Sequence, residues 1–316
     1  MITVGRFSIV LILVGTIVVL ISAKGCGPGA GKDTGAVELR VTRDFGSVPV
    51  AQVTVPKVPS SETAMRLLER EAPVTTRYGG GFVQCVKDLC GGRTGGRPYD
   101  WFYFVNGVEA SKGAAATRVR ENQSIWWDLR DWSATDRVPA VVGQFPEPFR
   151  HGPGGADRLP TRVDCADVKS DACRAVQDGL GQEDVVGGIA ALRTTAAMET
   201  LRIVVGPWAQ VRAESALVQI EDGPAASGVY ARMQNGGRTI ALLDAGGRTV
   251  RRLGAGAGLI AATRVGEDPP VWVVTGTDAA GVLAAARAFR TQILRGHYAV
   301  AVDGGGPIPV PVGAGR

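Results

Sequence analysis

The side chains best suited to chemistry in this sequence are its tryptophans and cysteines, not its histidines, serines or acids. Four of the six tryptophans, Trp101, Trp126, Trp127 and Trp132, sit between residues 101 and 132, close to Tyr99, Phe102, Tyr103 and Phe104. Along a strand, alternation sends Trp101 and Tyr103 to one face and Phe102 and Phe104 to the other, and it separates Trp126 from Trp127 likewise. One face must be core. The other then carries large rings outward, which suits a planar ligand, a sugar or a protein surface. The expected ligand-binding residues are therefore Trp101, Tyr103, Asn106, Trp126 and Trp127. The competing reading is that the same rings hold two folded units together.

Other chemistries find little support. The two histidines, His151 and His297, have no ligand partner at useful spacing, and Cys85-x₄-Cys90 without a second pair is a poor zinc site. No G-x-S-x-G elbow occurs. GPGAGKDT (27–34) fails as a phosphate loop, because Cys26 stands where its first glycine belongs and Asp33 follows the lysine. LGAGAGL (253–259) places its third glycine one residue too early for a dinucleotide loop and reads as a tight turn. Thr277 and Asp278, after VWVVTG, read as a helix cap. The expectation is a binding protein without metal, cofactor or enzymatic activity.

The five cysteines are Cys26, Cys85, Cys90, Cys165 and Cys173. Cys26 closes the leader described below, which leaves four and three possible connectivities. The economical pairing is Cys85–Cys90 with Cys165–Cys173, each inside one unit. Continuous helix from Cys165 to Cys173 would separate their Cα atoms by about 12 Å, past the ~7 Å that a disulfide spans. The Ser170–Asp171 helix-start signal removes that conflict by leaving Cys165 in an extended stretch.

The leader begins with the basic MITVGR and continues from Phe7 to Ile21, apolar except for Ser8, Gly15 and Thr16. That run is shorter than the ~20 residues of a spanning helix and suits a secretion signal. SAKGC, ending at Cys26, resembles a bacterial lipoprotein signal, in which cleavage precedes an acylated cysteine. Gly25 fits that pattern, whereas Ala23 and Lys24 depart from it. The alternatives are a retained signal anchor or cleavage after Ala23. Each route exports the chain into an oxidising compartment, so the expected location is the outer face of the cell membrane.

The chain has 316 residues, 44 of them glycine, which favours many turns and short elements. Its formal charge is +5, and two of its 35 basic residues, Arg6 and Lys24, lie in the leader. No Lys/Arg run marks a nucleic-acid surface. The expected organisation is a leader at 1–25, a tether at 26–36, a first unit at 37–133, a Pro/Gly-rich linker or long wrapping connection at 134–160, a second unit at 161–302 and an unstructured or edge-lying tail at 303–316. In the first unit VELRVTRDF and the stretch Ser47–Pro59 are extended, and SSETAMRLLEREA is a helix capped by Ser60 or Ser61. GGFVQCV, DWFYFVNGVEA and SIWWDLRDW are strands, with a hairpin at Asn106–Gly107. Two strands, one helix and further strands outline a β-grasp.

WFYFVNGVEASKGAAATRVRENQSIWWDL (101–129) resembles the signature of the transcobalamin-like C-terminal domain family: an aromatic strand, an Asn-Gly turn, a segment of small residues and a closing strand. Glu121–Asn122 replaces the family's usual Gly-Asp pair. The resemblance implies a β-grasp on an exported bacterial protein and, through vitamin B12 carriers, a corrinoid-like ligand. In the second unit LRIVVGP, SGVYARM, RTIALLD, RTVRRLG, VWVVTGTD and HYAVAV are strands, and helices are expected over 207–220 and 278–294. The fold class is α+β, a β-grasp-like domain followed by a mixed α/β sandwich-like domain. The functional expectation is a membrane-tethered protein that captures a small molecule for a transporter component. Its alternative is a non-catalytic interaction module of the envelope.

Overall fold

The structure, a computed structural model, describes residues 35–315. The expected leader, Cys26 and nearly all of the tether lie outside the described residues. Among the described residues no helix is long and apolar enough to cross a membrane. The fold is α+β.

In the first unit, β1 (Val37–Arg43) and β2 (Val48–Val55) form an antiparallel pair. The reversal between them uses positive φ at Asp44, Phe45 and Gly46. Helix α1 (Ala64–Glu71) follows, with Ala64, Leu67 and Leu68 buried at the expected spacing. Its cap is Thr63, whose Oγ1 accepts from the Arg66 amide at 3.2 Å, and not Ser60 or Ser61. Strands β3 (Val74–Arg77), β4 (Phe82–Val86) and β5 (Leu89–Cys90) form a small sheet. Strands β6 (Gly92–Thr94), β7 (Arg97–Val105), β8 (Val108–Glu109) and β9 (Ser124–Asp131) complete the main one. Its order is β2-β1-β9-β7-β6, with β8 against β7. β1 and β9 are parallel. Trp101, Tyr103, Val105, Ile125 and Trp127 meet α1 on one face.

Residues 134–160 are not a free linker. Val138, Ala140, Val141, Val142, Phe145 and Phe149 are all buried. The backbone is bonded to both units, Val141 N to Gly107 O at 2.9 Å and Val142 N to Tyr298 O at 3.2 Å. Proline and glycine break the periodicity that would reveal an element, but the valines and phenylalanines they separate still have apolar surface to bury.

The second unit holds β10 (Thr161–Cys165), α2 (Asp171–Gly181), β11 (Gly187–Ala191) and β12 (Leu201–Pro207). Short helical turns lead to the meander β13 (Ala231–Gln234), β14 (Thr239–Leu243) and β15 (Thr249–Leu253). Then come β16 (Gly258–Thr263), β17 (Val271–Gly276), a helix Ala279–Arg287, β18 (Ala299–Asp303) and β19 (Gly306–Val310). The seven-stranded sheet runs β11-β10-β12-β17-β16-β18-β19, parallel from β11 to β17 and antiparallel after it. Alternation divides its side chains. Ile203, Val205, Ile260, Trp272 and Val274 meet α2 and the Ala279–Arg287 helix. Val204, Leu259, Ala261 and Val273 face the meander and the first unit's Phe45, Phe104 and Trp126.

The two long helices read from this half are both shorter. The first breaks into Trp208–Val211, Ser215–Val218 and a 3₁₀ turn. The second stops at Arg287, where Ala288 and Phe289 leave the helix and the Phe289 ring seats 4.7 Å from that of Phe145. The tail lies on the sheet edge as β19, with Val310 buried. The disulfides are Cys85–Cys90, across the β4/β5 pair, and Cys165–Cys173, from the end of β10 to the first turn of α2. Ser170 Oγ caps that turn by accepting from the Cys173 amide at 3.2 Å.

A candidate ligand cleft where the two units meet

Strand β7 has an open stretch on one edge. β6 pairs with it only as far as Tyr99, and β8 begins at Phe104. Between them neither strand covers Asp100 to Phe102, and the Tyr103 carbonyl accepts from the Ala110 amide at 3.1 Å, so side chains from both faces of β7 reach one hollow. That hollow is a cleft of about 490 Å³ with an aromatic wall of Phe82, Trp101, Phe102 and Tyr103. Its opposite side comes from the connection, through Asp136 and Arg137, and from the second unit, through Arg264 and Glu267. An adjoining cleft of about 350 Å³ shares Glu109, Ala110, Ser111, Arg264 and Glu267.

Glu109 is the acid between the two hollows. Its Oε2 accepts from the Val138 amide at 3.1 Å, and its Oε1 lies 3.4 Å from Arg130 Nη2. Burial pushes its carboxyl up to about 7, against the pull of Arg130. Arg130 is a weak counter-charge for a geometric reason. Its guanidinium also donates to Thr135 O and Asp136 O, each at 2.9 Å, and stacks 3.7 Å from the centre of the Phe102 ring. A carboxyl poised near neutrality in a cleft can accept or donate a hydrogen bond to a ligand. Arg264 is committed to its own loop, with bonds of 2.6 Å to Asp268 O and Glu267 O. The cleft therefore presents rings, carboxyl groups, the Ser111 hydroxyl and the exposed Arg137 guanidinium, whose Nη2 lies 3.4 Å from Gly266 O.

The five residues expected to bind a ligand divide here. Trp101 and Tyr103 line the cleft by their edges while most of each ring lies under α1. Trp101 Nε1 donates to Leu89 O at 3.3 Å, and the Tyr103 hydroxyl donates to Lys112 O at 2.5 Å. Trp127 is stacked on Tyr103 at 4.6 Å in the core, with no exposed face. Asn106 is fully buried and locks its own turn. It holds φ +49°, donates to Gly152 O at 2.9 Å and accepts from the Ser124 amide at 2.9 Å. Trp126 is also fully buried, its Nε1 2.7 Å from Thr42 Oγ1 and its ring edge-to-face with Tyr298 at 5.4 Å. The second unit covers Phe104 and Trp126 on the side of the sheet opposite α1, and Phe102 on that side stays partly exposed in the cleft. Phe104 and Trp126 pack against residues of both units.

Phe82, Phe102, Glu109 and Arg264 were not legible as site residues. Glu109 carried one usable signal, as an acid directly after an Asn-Gly hairpin whose strands are otherwise apolar. His151 lies elsewhere, with Nδ1 2.5 Å from Glu147 Oε1. Among the described residues, no three His, Cys, Asp or Glu side chains are grouped to hold a metal ion.

Residues 61–131 match the model of a domain of unknown function, DUF4430. The match takes in α1 and β3 to β9, hence the aromatic wall and Glu109, and none of the second unit. A solved structure from Ruminococcus gnavus, described as a "putative metal binding protein", is similar at 13% identity over 31% of this chain and 97% of its own, with a TM-score of 0.24. No curated protein matches.

Proposed function

We propose that this chain is an exported, membrane-tethered binding protein that captures a small molecule in the cleft between its units and presents it to an uptake component. The observation that carries this reading is the convergence of four aromatic side chains and one near-neutral carboxyl, Glu109, on a hollow built from both units. Sites of this kind, largely apolar with a few placed polar groups at a domain junction, are where small ligands bind. Two disulfides and the secretion leader support a position outside the cytoplasm. The sheet holding a single helix, with β1 and β9 parallel at its centre, supports the β-grasp and transcobalamin-like reading of residues 37–133.

A cleft of about 490 Å³ falls within the range of ordinary small-ligand pockets. A complete corrinoid is larger, so it would engage the cleft by one edge, and a smaller aromatic or amine-bearing molecule fits better. Titration calorimetry with cyanocobalamin and with a panel of small aromatic metabolites tests the reading. A second reading, a non-catalytic interaction module, is favoured by the burial of Phe104 and Trp126 against Tyr298. Silence across the panel, with the fold intact, would select it.

A further inference from the structure

Sheet edges expose unpaired backbone groups, and folded chains blunt them with charge, proline or brevity. Most edges of this molecule follow that rule. β2 contains Pro49, and Lys87 Nζ reaches its Val50 O at 3.1 Å. β19 contains Pro307 and Pro309. β13 and β15 carry Arg232, Arg251 and Arg252, β3 and β6 carry Arg77 and Arg93, and β5 has two residues. β11 is the exception. It ends the seven-stranded sheet with the sequence Gly-Gly-Ile-Ala-Ala, preceded by Val186, and holds neither charge nor proline. Val186 is 84% exposed and Ile189 36%.

The geometry of the edge is specific. Leu192 N donates to Cys165 O at 2.8 Å, so alternation turns the Ile189 and Ala191 amides away from β10, toward solvent. The Gly187 carbonyl is met by Gln177 Nε2 at 3.2 Å. The charges flanking the strand are opposed: Glu183 and Asp184 stand before it, sharing the single cation Arg150 at 3.6 and 3.7 Å and so leaving one net negative charge, and Arg193 stands after it. Antiparallel pairing of two identical edges across a twofold axis sets the acidic end of each against the basic end of the other. Parallel pairing would set like against like.

We infer that β11 is a dimerisation edge, and that a second copy of this chain adds its own β11 antiparallel to it, continuing the sheet across the twofold axis. The edge lies on the second unit, at the far end of the sheet from β19, and the inference does not depend on the ligand cleft.

The test uses the full chain with Cys26→Ser, purified in detergent. Sedimentation should give twice the single-chain mass, and Val186→Lys with Ile189→Lys should return it to one chain without loss of thermal stability. Independently, Ile189→Cys should oxidise to a covalent dimer on the order of tenfold faster than Val250→Cys, an exposed position on β15, because pairing raises its local concentration. A single-chain mass throughout the micromolar range, or equal cross-linking at the two positions, overturns the inference.

Discussion

The Tyr298 hydroxyl donates to the Asp128 carboxylate at 3.0 Å, and this bond runs from the second unit to the middle of β9 in the first. Asp128 is fully buried and collects three further donors: Thr42 Oγ1 at 2.5 Å, the Phe45 amide at 2.9 Å and the Gly46 amide at 3.1 Å. The Phe45, Phe104, Trp126 and Tyr298 rings close around it. This polar knot inside an aromatic shell makes the two units one body and fixes the shape of the cleft between them.

Removing one donor should weaken that body without unfolding it. Tyr298→Phe keeps the ring packing and loses one bond to a buried carboxyl, a cost of about 1–3 kcal/mol. Asp128→Ala leaves the buried Phe45 amide and the part-buried Gly46 amide without their acceptor and should cost more. Chemical denaturation of both variants and of the double variant measures the coupling. Equal stability of Tyr298→Phe and the parent would show that the bond does not hold the seam.

Stability should fall as pH rises through the mildly acidic range. Burial raises the Asp128 carboxyl from 3.8 to about 6 and that of Glu109 from 4.5 to about 7. The folded chain therefore keeps protons that the unfolded chain releases. The contribution of these groups is fully present below about pH 4 and is lost as pH climbs through 6 and 7, up to roughly 3 kcal/mol for each. Melting curves between pH 4 and 8 should show this slope, and Glu109→Gln should flatten its upper half. An unchanged slope in Glu109→Gln would contradict the assignment.

Both disulfides close short loops, and removing either should cost about 2–3 kcal/mol if chain entropy dominates. The structural consequences should differ. Cys85–Cys90 ties a local hairpin, whereas Cys165–Cys173 fixes the end of a central strand to the helix that packs on it. Cys165→Ala with Cys173→Ala should raise amide exchange along α2 and β11, and the Cys85/Cys90 pair of substitutions should leave those amides as they are.

Local signals in the sequence marked the main elements of the first unit, but not β3, β5, β6 or the Thr63 cap. Alternation located β1, β7 and β9, the Asn106–Gly107 turn located a hairpin, and helical spacing located α1. The economical cysteine pairing matches the two disulfides, although the sequence left three connectivities open. The site was harder to read because strand alternation says that two faces exist but not what covers them. Trp126 and Phe104 look outward in the isolated strand and are buried by Phe45 and by Tyr298, which lies 170 positions beyond Asp128 in the chain. The cleft was hidden for the same reason, since its wall and its opposite side come from segments that meet only when residues 134–160 wrap between the units.

The most direct test of the binding role is calorimetric titration of the folded chain beside an Ala110→Trp variant that fills the cleft. A small aromatic ligand or cyanocobalamin should bind the parent saturably, lose at least about tenfold in affinity in Ala110→Trp, and weaken again in Glu109→Gln, roughly the 1.4 kcal/mol of one hydrogen bond. Binding that survives unchanged in the filled variant, or no binding by any member of the panel, would contradict the account.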